Sequence, residues 1–204
     1  MVPGRCVDPA DWDTVALAAA YASAAPFPHV VVDSFARKAR LRELVDAFDD
    51  EPAEELHDEI FSFMASSKDL ASAALRGYAA DLERPDVLDA IGAITGSRVT
   101  RAEVRAYVYL PGHYLLPHAD HDAAERGRAI ALAHYVDARD LEGGELELFA
   151  CDLEDGEVVR ARPSTRVAPR ANRALLFEVS PRSLHQVREV TRGARLSLAG
   201  WFFP

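Results

Sequence analysis

Two histidines and one aspartate are the residues of this chain whose types and spacing best suit chemistry. His118 and Asp120 lie two residues apart, and His185 follows 67 residues after His118. Two imidazoles and one carboxylate can occupy one face of an octahedral Fe(II) and leave three positions open for a chelating cosubstrate and dioxygen. The three residues are therefore predicted to be catalytic metal ligands.

The spacing of His118 and Asp120 predicts that both side chains reach the same ion. Residues two apart on an extended strand point to the same face, and a jelly roll could bring His185 in from a distant strand. Zinc is the main alternative metal, because histidine and carboxylate ligands also suit it. An isolated His-x-Asp also occurs by chance, so the complete set carries the prediction.

Arg195 and Ser197 form a second candidate site, on one face of the last predicted strand. A guanidinium can hold a carboxylate with two parallel charge-assisted hydrogen bonds, and a serine hydroxyl can add a third. A dicarboxylate such as 2-oxoglutarate needs that anchor at its far end. The neighbours Leu196, Leu198 and Trp201 suggest a buried strand, where an unpaired arginine would be costly. An ordinary exposed strand arginine is the alternative.

Two kinds of periodicity divide the elements that must position these residues. Before residue 96 the pattern is mostly helical, with a capped helix ending at Ser23, a strand at 29–32, a helix containing Leu41 and Phe48, and helices at 69–82 and 86–94. Afterwards the period is two, with strands predicted at 99–109, 130–136, 145–149, 173–179 and 195–203. We expect a mainly β single domain over 1–204. Residues 1–96 would be a helical support region and residues 97–204 an antiparallel catalytic core.

The charge of −10 lies in the first part of the chain. Residues 1–96 hold eight Lys and Arg against 18 Asp and Glu, whereas residues 97–204 hold 15 of each. Such a surface repels nucleic acid. No apolar run approaches a membrane span, and the N-terminus lacks the apolar core of a signal peptide, so a cytoplasmic protein is expected. Cys6 and Cys151 are too few for a disulfide framework. The oligomeric state stays open.

Several segments together resemble the Fe(II)/2-oxoglutarate-dependent dioxygenases of the prolyl-hydroxylase type, over about residues 97–204. The resemblance also extends to an earlier strand that often opens the N-terminal region of that family. In chain order, the matching segments are Pro26–Phe35, Tyr109–Asp120, Leu141–Phe149, Leu184–Ser197 and Gly200–Phe203.

The resemblance implies a double-stranded β-helix, or jelly roll, with N-terminal helices packed on one sheet. It assigns Fe(II) to His118, Asp120 and His185, and the 5-carboxylate of 2-oxoglutarate to Arg195. It leaves room for ascorbate as a reductant. Tyr135 lies where related hydroxylases place a tyrosine that helps to hold this carboxylate. Tyr107 and Tyr109 could line the pocket, although a core aromatic is the alternative for each tyrosine. His134 should face away from the site.

The implied reaction is hydroxylation of a C–H bond with consumption of O2 and release of succinate and CO2. The substrate would be an amino acid, a peptidyl residue or a small natural product, and the carboxylate of Asp120 favours hydroxylation over halogenation. His121 and Asp122 could touch substrate, and the arginines between Arg160 and Arg173 could dock an anion or form a solvated hairpin edge. Two alternatives stay open. One is a non-catalytic sensing or binding module of the same fold, and the other is a cupin-like metalloenzyme without 2-oxoglutarate.

Overall fold

The computed structural model describes residues 4–121 and 127–204, which form four α-helices and a curled antiparallel sheet. Asp13 caps the first helix, since its carboxylate accepts a hydrogen bond from the Ala16 amide. Gly96 ends the fourth helix in the left-handed conformation, with φ 71°. No described helix has the length and apolar character needed to cross a bilayer. After a short 3-10 turn at Pro9–Asp11, the helices are α1 Thr14–Ser23, α2 Lys38–Asp50, α3 Ala73–Leu82 and α4 Pro85–Thr95.

Thirteen strands are found in the described ranges, eleven of them in one sheet. They are β1 His29–Asp33, β2 Ala53–Asp58, β3 Phe61–Ser66, β4 Arg101–Tyr109, β5 Tyr114–His118, β6 Ile130–Asp137, β7 Glu142–Gly143, β8 Leu146–Glu154, β9 Glu157–Val167, β10 Arg173–Glu178, β11 His185–Val187, β12 Val190–Arg192 and β13 Arg195–Phe203. The order in the large sheet is β1-β10-β6-β13-β4-β3-β5-β11-β8-β9, and β2 pairs with β3. Strands β7 and β12 form a separate two-stranded ribbon.

One departure from the sequence-based expectation is the β2–β3 hairpin, which lies in the half that was predicted to be mostly helical. Strand β3 pairs with both β4 and β5, so the first half of the chain contributes to the sheet as well as to the helices. The alternation of β2 is weak because most of its side chains are exposed. The alternation of apolar and polar residues that predicts a strand is therefore almost absent from β2.

The sheet separates two sets of buried apolar residues. One set joins helical residues such as Leu75 and Ile91 to Leu198 on β13, and the other set includes Tyr109, Tyr135 and Phe177. Successive residues of a strand point to opposite faces. Consequently β13 sends Leu198 and Phe202 toward the helices, and it sends Arg195, Ser197 and Trp201 to the opposite face, where they line a cavity.

A buried polar network joins α3 to β6 on the helical face. The Tyr78 hydroxyl lies 3.0 Å from Nδ1 of His134, and Nε2 of His134 lies 3.2 Å from Oδ1 of Asn172. The Asn172 oxygen can only accept, so Nε2 carries the proton and Nδ1 accepts from the tyrosine. Burial lowers the pKa of His134 to about 4. As predicted, His134 faces away from the metal ligands.

Candidate active site

The three predicted metal ligands meet at the end of one strand and the start of another. His118 is the last residue of β5, His185 is the first residue of β11, and the two are directly paired in the sheet. One ligand atom from each of His118, Asp120 and His185 lies within 4.8 Å of the other two. Nε2 of His118 is 3.9 Å from Oδ1 of Asp120, and Nε2 of His185 is 3.7 Å from Oδ2. These side chains therefore converge on a space that one cation can occupy.

A β-bulge turns His118 toward this space. Leu115 pairs with Val187 and His118 pairs with His185, so β5 has one more residue than β11 between the two pairs. Leu115 and His118 both line the same cavity as a result, although strict alternation would separate them. The expectation that Asp120 continues the strand is wrong, because β5 ends at His118 and Asp120 lies in a bend. The bend brings the carboxylate back to the two imidazoles.

Backbone carbonyls fix the orientation of both imidazole rings. Nδ1 of His118 lies 2.9 Å from the Leu116 oxygen, and Nδ1 of His185 lies 2.9 Å from the Ser183 oxygen. A carbonyl can only accept, so each Nδ1 carries a proton and each Nε2 presents its lone pair to the space that it shares with the Asp120 carboxylate. Burial, and then the nearby His118, lower the pKa of His185. His185 is therefore neutral, as a metal ligand must be.

Arg195 is buried in the same cavity, with an exposed fraction of 2%. Its Nε donates to Oγ of Ser197 at 3.0 Å, and its Nη1 donates to the Gly144 carbonyl at 3.0 Å. Among the described residues it has no carboxylate partner. A buried cation without a counter-ion is costly, and the remaining N–H groups of the fork are available to an anion. The geometry thus suits a carboxylate ligand.

The predicted tyrosines surround this arginine. The ring centroids of Tyr109 and Tyr135 each lie 4.8 Å from the guanidinium carbon, and Tyr107 and Tyr135 pair with Ser197 from opposite sides. The Tyr135 hydroxyl is buried and has no hydrogen-bond partner among the described residues. Burial raises the pKa of Tyr135 and that of Tyr109. Both phenols therefore keep their protons, and that of Tyr135 is free to be donated.

Gly143 and Gly144 both have left-handed backbone conformations, with φ values of 78° and 68°. A Cβ on Gly143 would lie 2.0 Å from the Glu189 carbonyl oxygen, so only glycine fits there. The sequence did not indicate that the carbonyl of Gly144 accepts a hydrogen bond from Arg195. That contact depends on the ribbon of β7 and β12 lying just before β13.

One cavity of about 400 Å³ contains both the metal ligands and Arg195 with Ser197. Phe61 and Phe63 of β3 form part of its wall, together with Trp201. Sequence reasoning missed the two phenylalanines because it predicted no strand there. It also missed Arg128, which lines the cavity and stacks on Trp201 with its guanidinium carbon 3.6 Å from the ring centroid. The cavity is thus polar at its ligands and largely aromatic along its wall.

Other residues singled out from the sequence lie outside this cavity or outside the described residues. His121 is exposed, and Asp122 lies outside the described residues. The arginines between 160 and 173 are mostly matched by acids. The described ion pairs of this stretch are Arg160–Asp152, Arg162–Asp152, Arg166–Glu147 and Arg173–Asp33. These arginines are therefore explained by ion pairs at the edge of a hairpin, without a bound anion.

The fold and the site define a class of protein with one candidate mononuclear metal site and one buried arginine that is open to an anion, both inside a curled antiparallel sheet. The sequence profile of the 2OG-Fe(II) oxygenase superfamily matches residues 103–203. These residues include all three candidate ligands and Arg195. The chain belongs to this superfamily, whose members use Fe(II) and 2-oxoglutarate.

Curated relatives and solved structures agree with this assignment. The chain is similar to prolyl 3-hydroxylase OGFOD1 of Mus musculus, with 40% identity over 90 residues. That match covers 41% of this chain and only 15% of the relative's length. Among solved structures, a Pseudomonas putida prolyl-4-hydroxylase aligns with TM-score 0.70 and 22% identity, over 92% of this chain and 98% of that one. A Trichoplax adhaerens prolyl hydroxylase bound to a hypoxia-inducible-factor peptide aligns with TM-score 0.69 and 15% identity, covering 93% and 88%.

Proposed function

We propose that the protein is an Fe(II)/2-oxoglutarate-dependent dioxygenase that hydroxylates a C–H bond of a peptidyl or amino-acid substrate. One observation carries this proposal. The histidine–aspartate–histidine set and a buried arginine without a carboxylate partner among the described residues line the same cavity. A zinc hydrolase would need the three ligands and would have no use for the buried arginine.

The residues of the site divide the work between them. His118, Asp120 and His185 would hold Fe(II) through two neutral imidazoles and one carboxylate. The metal, when bound, would activate O2, which is the oxidant for both the decarboxylation of 2-oxoglutarate to succinate and CO2 and the hydroxylation of the C–H bond. The carbonyls of Leu116 and Ser183 keep both rings in the tautomer that can ligate.

Arg195 would bind the distal carboxylate of 2-oxoglutarate through its free N–H groups. Ser197 and the Gly144 carbonyl hold the guanidinium in place, and the Tyr135 hydroxyl can donate a further hydrogen bond to the carboxylate. Tyr109 stacks against the same guanidinium. Because these groups are buried, the carboxylate would be bound away from competing water, which strengthens each contact.

A prolyl residue within a peptide is the substrate that the comparisons favour. The mouse relative is named as a prolyl 3-hydroxylase, and the aligned Trichoplax enzyme is bound to a peptide. Phe61, Phe63 and Trp201 give the cavity an apolar, aromatic wall suited to an uncharged ring. A free amino acid or a small natural product would enter the same cavity and is the alternative substrate.

The charge of the β2–β3 hairpin favours peptides that carry Lys or Arg. Glu54 pairs with Ala65 and Asp58 pairs with Phe61, so both acids share the face of Phe61 that looks toward the cavity. Both are exposed, and neither has an ion-pair partner among the described residues. A cationic side chain that binds along this face of the hairpin would meet these two acids.

We further propose that the curled sheet is a double-stranded β-helix with the N-terminal helices packed on one of its faces, all in one domain. The contact between Tyr78 of α3 and His134 of β6 supports this packing, and so do the buried apolar residues that α3, α4 and β13 share. The pairing of β3 with β4 and β5 ties the first half of the chain to the second.

The proposal is tested by incubating the purified protein with Fe(II), 2-oxoglutarate and a library of proline-containing peptides under air. We expect succinate release that depends on peptide, together with an added oxygen atom on the peptide by mass spectrometry. Zn(II) in place of Fe(II) should support neither. Binding of 2-oxoglutarate without any succinate, even uncoupled, would favour the sensing module instead. Turnover of the peptides with Zn(II) and without 2-oxoglutarate would favour the cupin-like alternative.

A further inference from the structure

We infer that Glu147 is a positioning residue for the metal ligand His185, and that it acts through Gln186. The inference rests on the proposed metal site and concerns hydrogen bonds on the opposite face of the sheet. Glu147 lies on β8, which pairs with β11 on one side and with β9 on the other. Gln186, Glu147 and Arg166 are direct neighbours across these three strands.

The side chains of this row form a continuous polar chain. Oε1 of Glu147 accepts a hydrogen bond from Nε of Arg166 at 2.5 Å, and Oε2 accepts one from the Gln186 amide nitrogen. Nη1 of Arg188 lies 3.7 Å from Oε1. Glu147 itself is only 2% exposed. A carboxylate is buried at a large cost unless donors surround it, and here they come from β9, β11 and the residue that follows β11.

Strand β11 benefits from such support because it is short and one of its two pairings is irregular. It has only three residues, and its pairing with β5 is interrupted by the bulge between His185 and Val187. Gln186 points away from the cavity, whereas His185 and Val187 on either side of it line the cavity. Holding the Gln186 side chain therefore fixes the backbone on which the His185 imidazole is mounted.

This arrangement gives Arg166 a role that its sequence context did not reveal. Arg166 donates a hydrogen bond to Oε1 of Glu147. This contact orients the carboxylate so that Oε2 accepts the hydrogen bond from Gln186. The neighbouring pair of Asp152 with Arg162 also joins β8 to β9, at 3.4 Å, but it lies five residues further along β8 and makes no contact with β11. Both are pairs of an arginine with a carboxylate, but Asp152 is half exposed whereas Glu147 is buried, and only the Glu147 pair touches the ligand-bearing strand.

The test compares Gln186→Leu and Glu147→Leu with the matched control Asp152→Leu. Affinity for Co(II), a spectroscopic substitute for Fe(II), is measured by titrating its visible absorption bands. We expect Gln186→Leu and Glu147→Leu each to weaken Co(II) binding by about tenfold, the lower end of the range for residues that orient metal ligands. The double variant should be no worse than Glu147→Leu alone, since both changes break one chain of contacts. Asp152→Leu should stay within about twofold of the parent.

Amide hydrogen exchange in the metal-free protein supplies a second readout. Exchange at His185–Val187 should accelerate by about tenfold in Gln186→Leu and Glu147→Leu but not in Asp152→Leu. Unchanged Co(II) affinity and unchanged exchange in Gln186→Leu, the milder change, would overturn the inference. An equal loss in Asp152→Leu would overturn it as well. If the parent protein bound no Co(II), the proposed metal site would fail, and the exchange data alone would still decide whether Glu147 holds β11.

Discussion

Replacing Arg195 with lysine removes the feature that separates this site from a plain metal centre. The guanidinium has five N–H groups, of which one is bonded to Ser197 and one to the Gly144 carbonyl. Three remain, enough for a two-point contact with a carboxylate. Lysine keeps the charge but has no planar fork and cannot stack between Tyr109 and Tyr135 in the same way.

The expected cost follows from the loss of one charge-assisted hydrogen bond to the cosubstrate. Such a bond contributes about 1.5–3 kcal/mol, which corresponds to an increase of about 10- to 150-fold in the KM for 2-oxoglutarate. The kcat at saturating 2-oxoglutarate should change little, because Arg195 touches none of the three metal ligands. Steady-state succinate release at varied 2-oxoglutarate measures both constants, and Co(II) titration checks that the metal site is intact.

Two further variants make the Arg195 experiment specific. Ser197→Ala removes only the acceptor of Nε and should raise the same KM by about fivefold, since a single hydrogen bond contributes about 1 kcal/mol. Arg101→Lys changes an arginine that stacks on Phe203 with half of its side chain exposed, and it should leave KM unaltered. A lysine at position 195 with the parental KM would show that 2-oxoglutarate binds elsewhere, and the cosubstrate assignment would be wrong.

Three other outcomes follow from the same structure. His118→Ala should abolish peptide-dependent succinate release and weaken Co(II) binding at least 100-fold, as measured by absorption titration; retained turnover would refute the ligand assignment. His134 binds its proton more weakly in the folded state, at a pKa of about 4, so the unfolding free energy of the metal-free protein should fall as the pH drops from 6.5 to 4. His134 should account for about 3 kcal/mol of that loss, and urea unfolding of His134→Gln should lack this part of it. The Glu54→Gln/Asp58→Asn variant should lose about tenfold of any preference for Lys-flanked over Glu-flanked peptides in kcat/KM, whereas Glu55→Gln, on the other face of β2, should keep it.

The strand that carries Arg195 and Ser197 could be predicted because polar and apolar residues alternate from Arg195 to Leu198. Its nine residues alternate between the two faces, and its predicted bounds agree with those observed. The aromatic wall could not be predicted in the same way. Phe61 and Phe63 alternate with Ser62, but β2, their partner strand, is exposed and acidic and has almost no apolar face. A strand whose pairing partner lacks a pattern gives a weak signal on its own.

Glu147 shows a second limit of predicting burial from the alternation of residues along the sequence. The sequence Leu146-Glu147-Leu148 correctly predicts a strand, and on that pattern alone the glutamate would point to solvent. It is buried because β8 lies between β9 and β11, and its carboxylate is matched by donors from both. Those neighbours are distant along the chain, so only the sheet order reveals that this acid is enclosed.

The three candidate metal ligands show how residue types can pick out side chains that the structure brings together, even when the structural reason for choosing them is incomplete. Asp120 was expected beside His118 because both would lie on one strand, yet the strand ends at His118 and a bend returns the carboxylate to the two imidazoles. His185 begins β11, and Arg195 begins β13. The site is thus assembled where strands start, stop or bulge, which is where period-two patterns carry the least information. Residue types that match the needs of the chemistry identified these positions, and the pairing of β5 with β11 explains how they come together.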